Sequence, residues 1–160
     1  SWQKMEIPLD AQQEMAWLQG ERKSRFEPHF SPIDCQNRDS RILLHSGTVH
    51  WNEYRRKWIV LGCRIYGQDS MLGEVWYAEA DQPTGPFTEA VKVASHEKQS
   101  FYNVCHHEFL DREGGKVIFF EGTYTNEFSG NQYKTPRYHY NQILYRLDLS
   151  DPNLLSSLRP

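Results

Sequence analysis

The spacing of apolar positions changes once along this chain. Near the start, Ala11, Met15 and Leu18 fall on one helical face. Asp10 followed by Gln13 resembles a capping box, and Gly20 supplies a stop, so the pattern predicts one short helix over residues 11–19. Residues 21–40, with two prolines and many polar side chains, read as an irregular connection. From Arg41 onward the period shortens to that of strands. "ILLHSGTVHW" is a strand followed by a turn at 52–55. "KWIVLGCRIY" is apolar on both faces, as an inner strand covered on each side must be. "GEVWYAEA" is a third strand, "DQPTGPF" a turn cluster, and "EAVKVAS" an alternating outer strand. These make an antiparallel meander.

The order then restarts. "CHHEFLD", the turn "REGG", the strand "KVIFFEGTY", a loop over 125–139 and the strand "NQILYRLDL" repeat the strand-turn-strand sequence. A structural period of about 50 residues with four strands per unit predicts antiparallel propeller-type blades, with a β-sandwich as the competing arrangement. The expected organisation is an all-β chain: helix and connection over 1–40, about two four-stranded blades over 41–150, and a tail over 151–160. Two blades cannot close a ring, so their end strands are expected to be open to self-association or to pairing with other parts of a longer protein.

Composition sharpens this picture in three ways. The 160 residues are enough for one domain with a real core, and the 14% aromatic content suits pleated sheets and sugar-stacking surfaces. The net charge of −3, with acids and bases interspersed, gives no basic stripe and argues against nucleic acid as a partner. No apolar run has the roughly 18 to 20 residues of a membrane-spanning helix. The chain opens on Ser1, so a leader could have preceded it, and a secreted or periplasmic setting is the expectation. Cys35, Cys63 and Cys105 match no zinc spacing and read as buried free thiols.

One stretch resembles a known family. Lys57-Trp58-Ile59-Val60, followed by Ala78-Glu79-Ala80-Asp81-Gln82-Pro83-Thr84-Gly85-Pro86-Phe87, is similar to a blade of the five-bladed propeller glycosidases. That group comprises arabinanases, β-xylosidases and levansucrases and includes glycoside hydrolase family 43. His106-His107-Glu108-Phe109-Leu110-Asp111, with Gly114-Gly115, resembles the segment whose histidine points into the central channel, often near a bound cation. The resemblance covers roughly residues 46–150, and the chain also looks like the C-terminal part of longer bacterial proteins. It implies a carbohydrate-active, glycoside-hydrolase-like propeller acting on poly- or oligosaccharides, with His107 at the channel position and Ca2+ or another cation near it. The pattern departs where chemistry matters. Glycoside hydrolysis needs paired carboxylates. The family places two key aspartates on its first two blades, which have no counterpart here, and Ser46-Gly47-Thr48 stands where its acid glutamate would be. The alternative is a non-catalytic carbohydrate-binding or protein-interaction module.

The candidate chemistry follows from strand alternation. Glu121 ends an apolar strand, so it pairs with a base such as Arg64 or Arg137, contacts substrate, or serves as an acid or base. His106 and His107 point to opposite faces and cannot share a metal without a bulge. Glu74 and Glu79 flank Trp76 and Tyr77, and one of them must face inward. The 125–139 loop and its flank offer Phe128, Tyr133, Tyr138 and Tyr140 among amides, as a sugar-binding rim requires. Counting residues back from the turn at Gly115 places His107 and Glu121 at the same end of the hairpin, joined by Tyr102 and the 125–139 loop. Substrate contact is therefore expected at Tyr102, His106, His107, Glu121, Tyr138 and Tyr140, with Glu121 the candidate acid or base and His107 the candidate cation ligand.

Overall fold

The computed structural model describes residues 11–19, 28–132, 134 and 139–158. It is mostly β, with sheets of six and three strands. A helix, α1 (Ala11–Gln19), spans the residues that the helical spacing predicts. The first sheet contains β1 (Ile33–Asp34), β2 (Asn37–Arg41), β3 (Leu44–Asn52), β4 (Lys57–Arg64), β5 (Val75–Ala80) and β6 (Glu89–Ala94). The second contains β7 (Ser100–His106), β8 (Val117–Thr125) and β9 (Asn141–Asp148). Short 3-10 turns at Glu108–Leu110 and Glu113–Gly115 join β7 to β8, and α2 (Pro152–Ser157) follows β9.

In the first sheet β3, β4, β5 and β6 run as an antiparallel meander in sequence order. The order continues past β6 to β1, which lies parallel to it, and then to β2. Part of the predicted connection over 21–40 is therefore sheet. Ile33 and Cys35 donate their N–H groups to Thr88 and Ala90 carbonyls, adding an edge that no alternating apolar pattern announces. The second unit has three strands, ordered β7-β8-β9, rather than four. The predicted tail over 151–160 contains α2, whose start is fixed by Asp151 accepting from the Asn153 N–H and by Pro152 in the first turn.

β4 and β5 are buried on both faces, as their continuous apolar runs require. Ile59, Leu61, Cys63, Val75 and Tyr77 turn toward the second sheet and share a core with Phe101, Val104, Ile118, Phe120, Leu149 and Leu154. Val60, Trp76, Ala78 and Ala80 turn the other way, onto Ile42, Phe87 and Ala90. Phe87 is fully buried, returning to the core after the proline-glycine turn as the sequence predicts.

The two sheets meet along β3 through polar groups. Thr48, His50 and Asn52 alternate along its inner face, opposite Leu61, Ile59 and Lys57. The Thr48 hydroxyl accepts the His106 backbone N–H at 2.9 Å. His50 lies edge-on to the His106 ring and bonds Glu108 at 3.1 Å. The buried Asn52 amide donates to the Gly115 carbonyl at 2.8 Å, while its oxygen accepts from the Arg55 N–H. Hydrophobic burial holds the sheets together, and these directional contacts fix how they are aligned.

Candidate functional site on the open face of the second sheet

One side of the β7-β8-β9 sheet is core. There Phe101, Ile118 and Phe120 are fully buried, and Phe120 stacks on Tyr145 with ring centroids 5.4 Å apart. The other side is partly open, and a bulge decides which side chains it displays. Tyr102 pairs with Thr123 and Cys105 pairs with Glu121, so Asn103 and Val104 together oppose Gly122. Asn103 takes φ +56, a backbone region asparagine tolerates better than most residues. At Gly122 the ring of Phe101 comes so close that a Cβ would sit 2.5 Å from it. Strict alternation would put Tyr102 on the same side as His106. The extra residue instead places Tyr102, Cys105 and His107 together beside Phe119, Glu121 and Thr123.

Across this face the His107 Nε2 lies 3.1 Å from Glu121 Oε1, with side-chain exposures of 21% and 36%. The pair is reachable by solvent. Its partners surround it on both flanks. The Tyr102 hydroxyl donates to the Tyr140 hydroxyl at 2.8 Å, a bond that pushes the Tyr102 phenol up to about 12. Phe128 meets Tyr102 edge-on at 5.7 Å, and Phe109 lies 5.3 Å from His107. The rings of Tyr140, Phe128 and Phe109 are exposed. On β9, Gln142 donates to the Thr123 hydroxyl and the exposed Leu144 lies directly opposite Glu121. Arg112 sits over the Phe119 ring at 5.4 Å.

His106 faces the opposite way. Its side chain is almost wholly buried at the sheet seam, where Nε2 bonds Asp111 at 2.9 Å. Nδ1 has no hydrogen-bond partner among the described residues. Burial lowers the imidazole below its usual value, Asp111 pulling in the other direction. His106 is thus separated from the open face that holds His107 and Glu121, because adjacent residues at the end of β7 point to opposite sides. Tyr138 and Tyr133 lie outside the described residues, as does Arg137.

The carboxylates near Trp76 are structural. Glu74 is completely buried and accepts from the Gln68 N–H at 2.7 Å, the Trp76 indole at 3.0 Å and Arg64 at 3.3 Å. Arg64 is therefore committed to Glu74, and Glu121 takes His107 as its base. Glu79 accepts two bonds from Arg55 and one from the Tyr77 hydroxyl. No group of three or more His, Cys, Asp or Glu side chains among the described residues is placed to hold a metal ion. The cation expected near His107 would have that imidazole and Glu121 as ligands, fewer than a protein-built site of such metals uses.

The sequence pointed to His107, Glu121, Tyr102 and Tyr140 as one group, and the structure brings them to one face. It missed Phe109, Gln142 and Leu144, and it missed the roles of Thr48, His50 and Asp111. The signal available for Gln142 and Leu144 was their even spacing on β9, which puts both in register with Thr123 and Glu121. No family model matches the chain, and no curated protein or solved structure matches it either.

Proposed function

We propose that the chain is a carbohydrate-binding part of a propeller-type protein, its two sheets corresponding to adjacent blades and the open face of the second sheet contacting the sugar. The observation that carries this reading is the grouping of exposed aromatic rings with a solvent-reachable imidazole–carboxylate pair. Tyr140, Phe128 and Phe109 offer flat apolar faces for the C–H side of a pyranose or furanose ring. Glu121 accepts from sugar hydroxyls, and the His107 ring and the Gln142 amide add polar groups at fixed spacing. The sequential meander and the alignment of β3 with β7 support the blade interpretation.

Binding fits this face better than hydrolysis. Glycosidases place two carboxyl groups roughly 5 to 9.5 Å apart. The β9 carboxylate on the same face, Asp148, pairs with Val117, four residues along β8 from Glu121. That separation is about 13 Å at ~3.3 Å per residue. Asp148 is also bonded by Ser150. Acids for hydrolysis would have to come from elsewhere in a longer protein.

Calorimetric titration with arabino- and xylo-oligosaccharides tests the proposal. Saturable binding that Tyr140→Ala weakens by about tenfold, roughly 1.4 kcal/mol, is expected. Absence of binding across neutral and acidic oligosaccharides, or equal binding by Tyr140→Ala and Glu121→Gln, would overturn it.

A further inference from the structure

We infer, resting on the carbohydrate reading above, that the saccharide taken by the open face is acidic and that Arg112 holds the carboxylate of a uronate residue at the Phe119 end. Arg112 lies between the two 3-10 turns and is pinned through its backbone. Its N–H donates to the Val117 carbonyl at 2.9 Å, and its carbonyl accepts from the Val117 N–H at 3.2 Å. The exposed guanidinium lies over the Phe119 ring at 5.4 Å. That contact positions a planar cation without satisfying its N–H donors. No carboxylate among the described residues answers it. Asp111 is bonded to His106 at 2.9 Å, Glu113 to Lys116 at 3.2 Å and Glu121 to His107 at 3.1 Å.

A second guanidinium stands beside the same ring. Arg146 is directly opposite Phe119 on β9, so the two side chains share the open face. Its contact with Asp148, at 3.7 Å, is longer than a hydrogen bond, and Asp148 itself accepts from the Ser150 hydroxyl at 2.6 Å. A guanidinium fork matches a carboxylate with two parallel N–H···O bonds. Glu121, whose charge repels a uronate, is two residues from Phe119 along β8, about 6.6 Å at ~3.3 Å per residue. Thr123, the partner of Gln142, is four residues from Phe119, about 13 Å on the same rise. An extended oligosaccharide with a ring against Tyr140 therefore reaches its anionic group toward Arg112. The net charge of −3 gives the chain no general attraction for an acidic ligand, so a preference for one has to come from these local groups.

Calorimetric titration compares an oligogalacturonate with its methyl ester, the same sugar with the carboxylate charge removed. The parent chain is expected to bind the acid about tenfold more tightly than the ester. Arg112→Gln should bring that ratio to about one, and Arg112→Lys, a cation without the fork, should restore it only in part. Arg38→Gln, which removes a positive charge from the first sheet, should leave the ratio as it is. Equal binding of acid and ester by the parent chain, with neutral xylo-oligosaccharides also bound, overturns the inference and leaves the carbohydrate reading standing. So does a ratio that Arg112→Gln does not change. Binding of none of the three, acid, ester or neutral sugar, overturns both.

Discussion

Asn103 and Gly122 face each other across the β7–β8 ladder as two residues against one, with Val104 the second member on the β7 side. That local excess of one residue brings Tyr102 and His107, five positions apart in sequence, to the same side of the sheet. Without it the open face would display Tyr102 or His107 in line with the core, and not both around Glu121.

The bulge is sensitive to the residue that adopts its left-handed conformation. Asn103→Val should destabilise the chain by about 1 to 2 kcal/mol, because a β-branched side chain is strained at φ +56. Asn103→Gly should be tolerated. Urea unfolding midpoints of the two variants give the comparison, and equal midpoints would contradict it.

Stability should fall on mild acidification. His96 and His106 are both buried, and burial lowers each imidazole below its ordinary value. His96 is held between the Gly73 carbonyl, at 2.7 Å, and the Tyr145 hydroxyl, at 2.9 Å, and its ring stacks on Phe101. With both folded values depressed, the unfolded chain binds more protons between those values and about 6.5. The contribution is complete above about 6.5 and is lost as the pH falls through the folded values. Unfolding free energies between pH 8 and 5 should decline below that point, and His96→Gln should decline less steeply.

The polar seam makes two turns interdependent. Asn52 satisfies the Gly115 carbonyl, and Gly115 itself takes φ +88 with no room for a Cβ, which would lie 2.7 Å from the Asn52 amide nitrogen. Asn52→Ala leaves the Gly115 carbonyl and the half-buried Arg55 N–H without this partner, at a cost of about 1 to 3 kcal/mol. Gly115→Ala should destabilise as well. Because both act through one contact, their effects in the double variant should sum to less than the separate losses.

Glu74 carries the largest expected single-residue effect. Its removal as Glu74→Ala leaves Arg64 without its carboxylate partner and the Trp76 indole and Gln68 N–H without their acceptor. Loss of about 3 to 5 kcal/mol is expected for breaking a buried pair from one side. Thermal unfolding measures it, and a near-neutral result would show that the carboxylate is dispensable.

Much of this architecture was legible in the sequence. The helix at 11–19 and strands β3, β4, β5, β6, β8 and β9 follow from apolar period and turn residues, with ends displaced by a few positions. β1 and β2 were not legible because their pairing depends on backbone bonds and on charged residues such as Arg38 and Arg41, which carry no apolar alternation. The grouping of His107 with Glu121 came from counting residues back from the Gly115 turn. The separation of His106 from that group was also visible, since adjacent strand residues alternate faces. The bulge was hidden: nothing in Tyr102-Asn103-Val104-Cys105 states that Asn103 will take a positive φ. Nor did the sequence show that polar Thr48, His50 and Asn52 would face inward, since that depends on which sheet lies beside them.

Residue-resolved NMR during titration with arabino- and xylo-oligosaccharides reads whether the open face of the second sheet binds carbohydrate. Saturable shifts confined to Tyr102, His107, Phe109, Glu121, Tyr140 and Gln142 are expected, with His106 and Glu74 unmoved. No shifts, or shifts centred on the opposite sheet and sparing Tyr140 and Glu121, would contradict it.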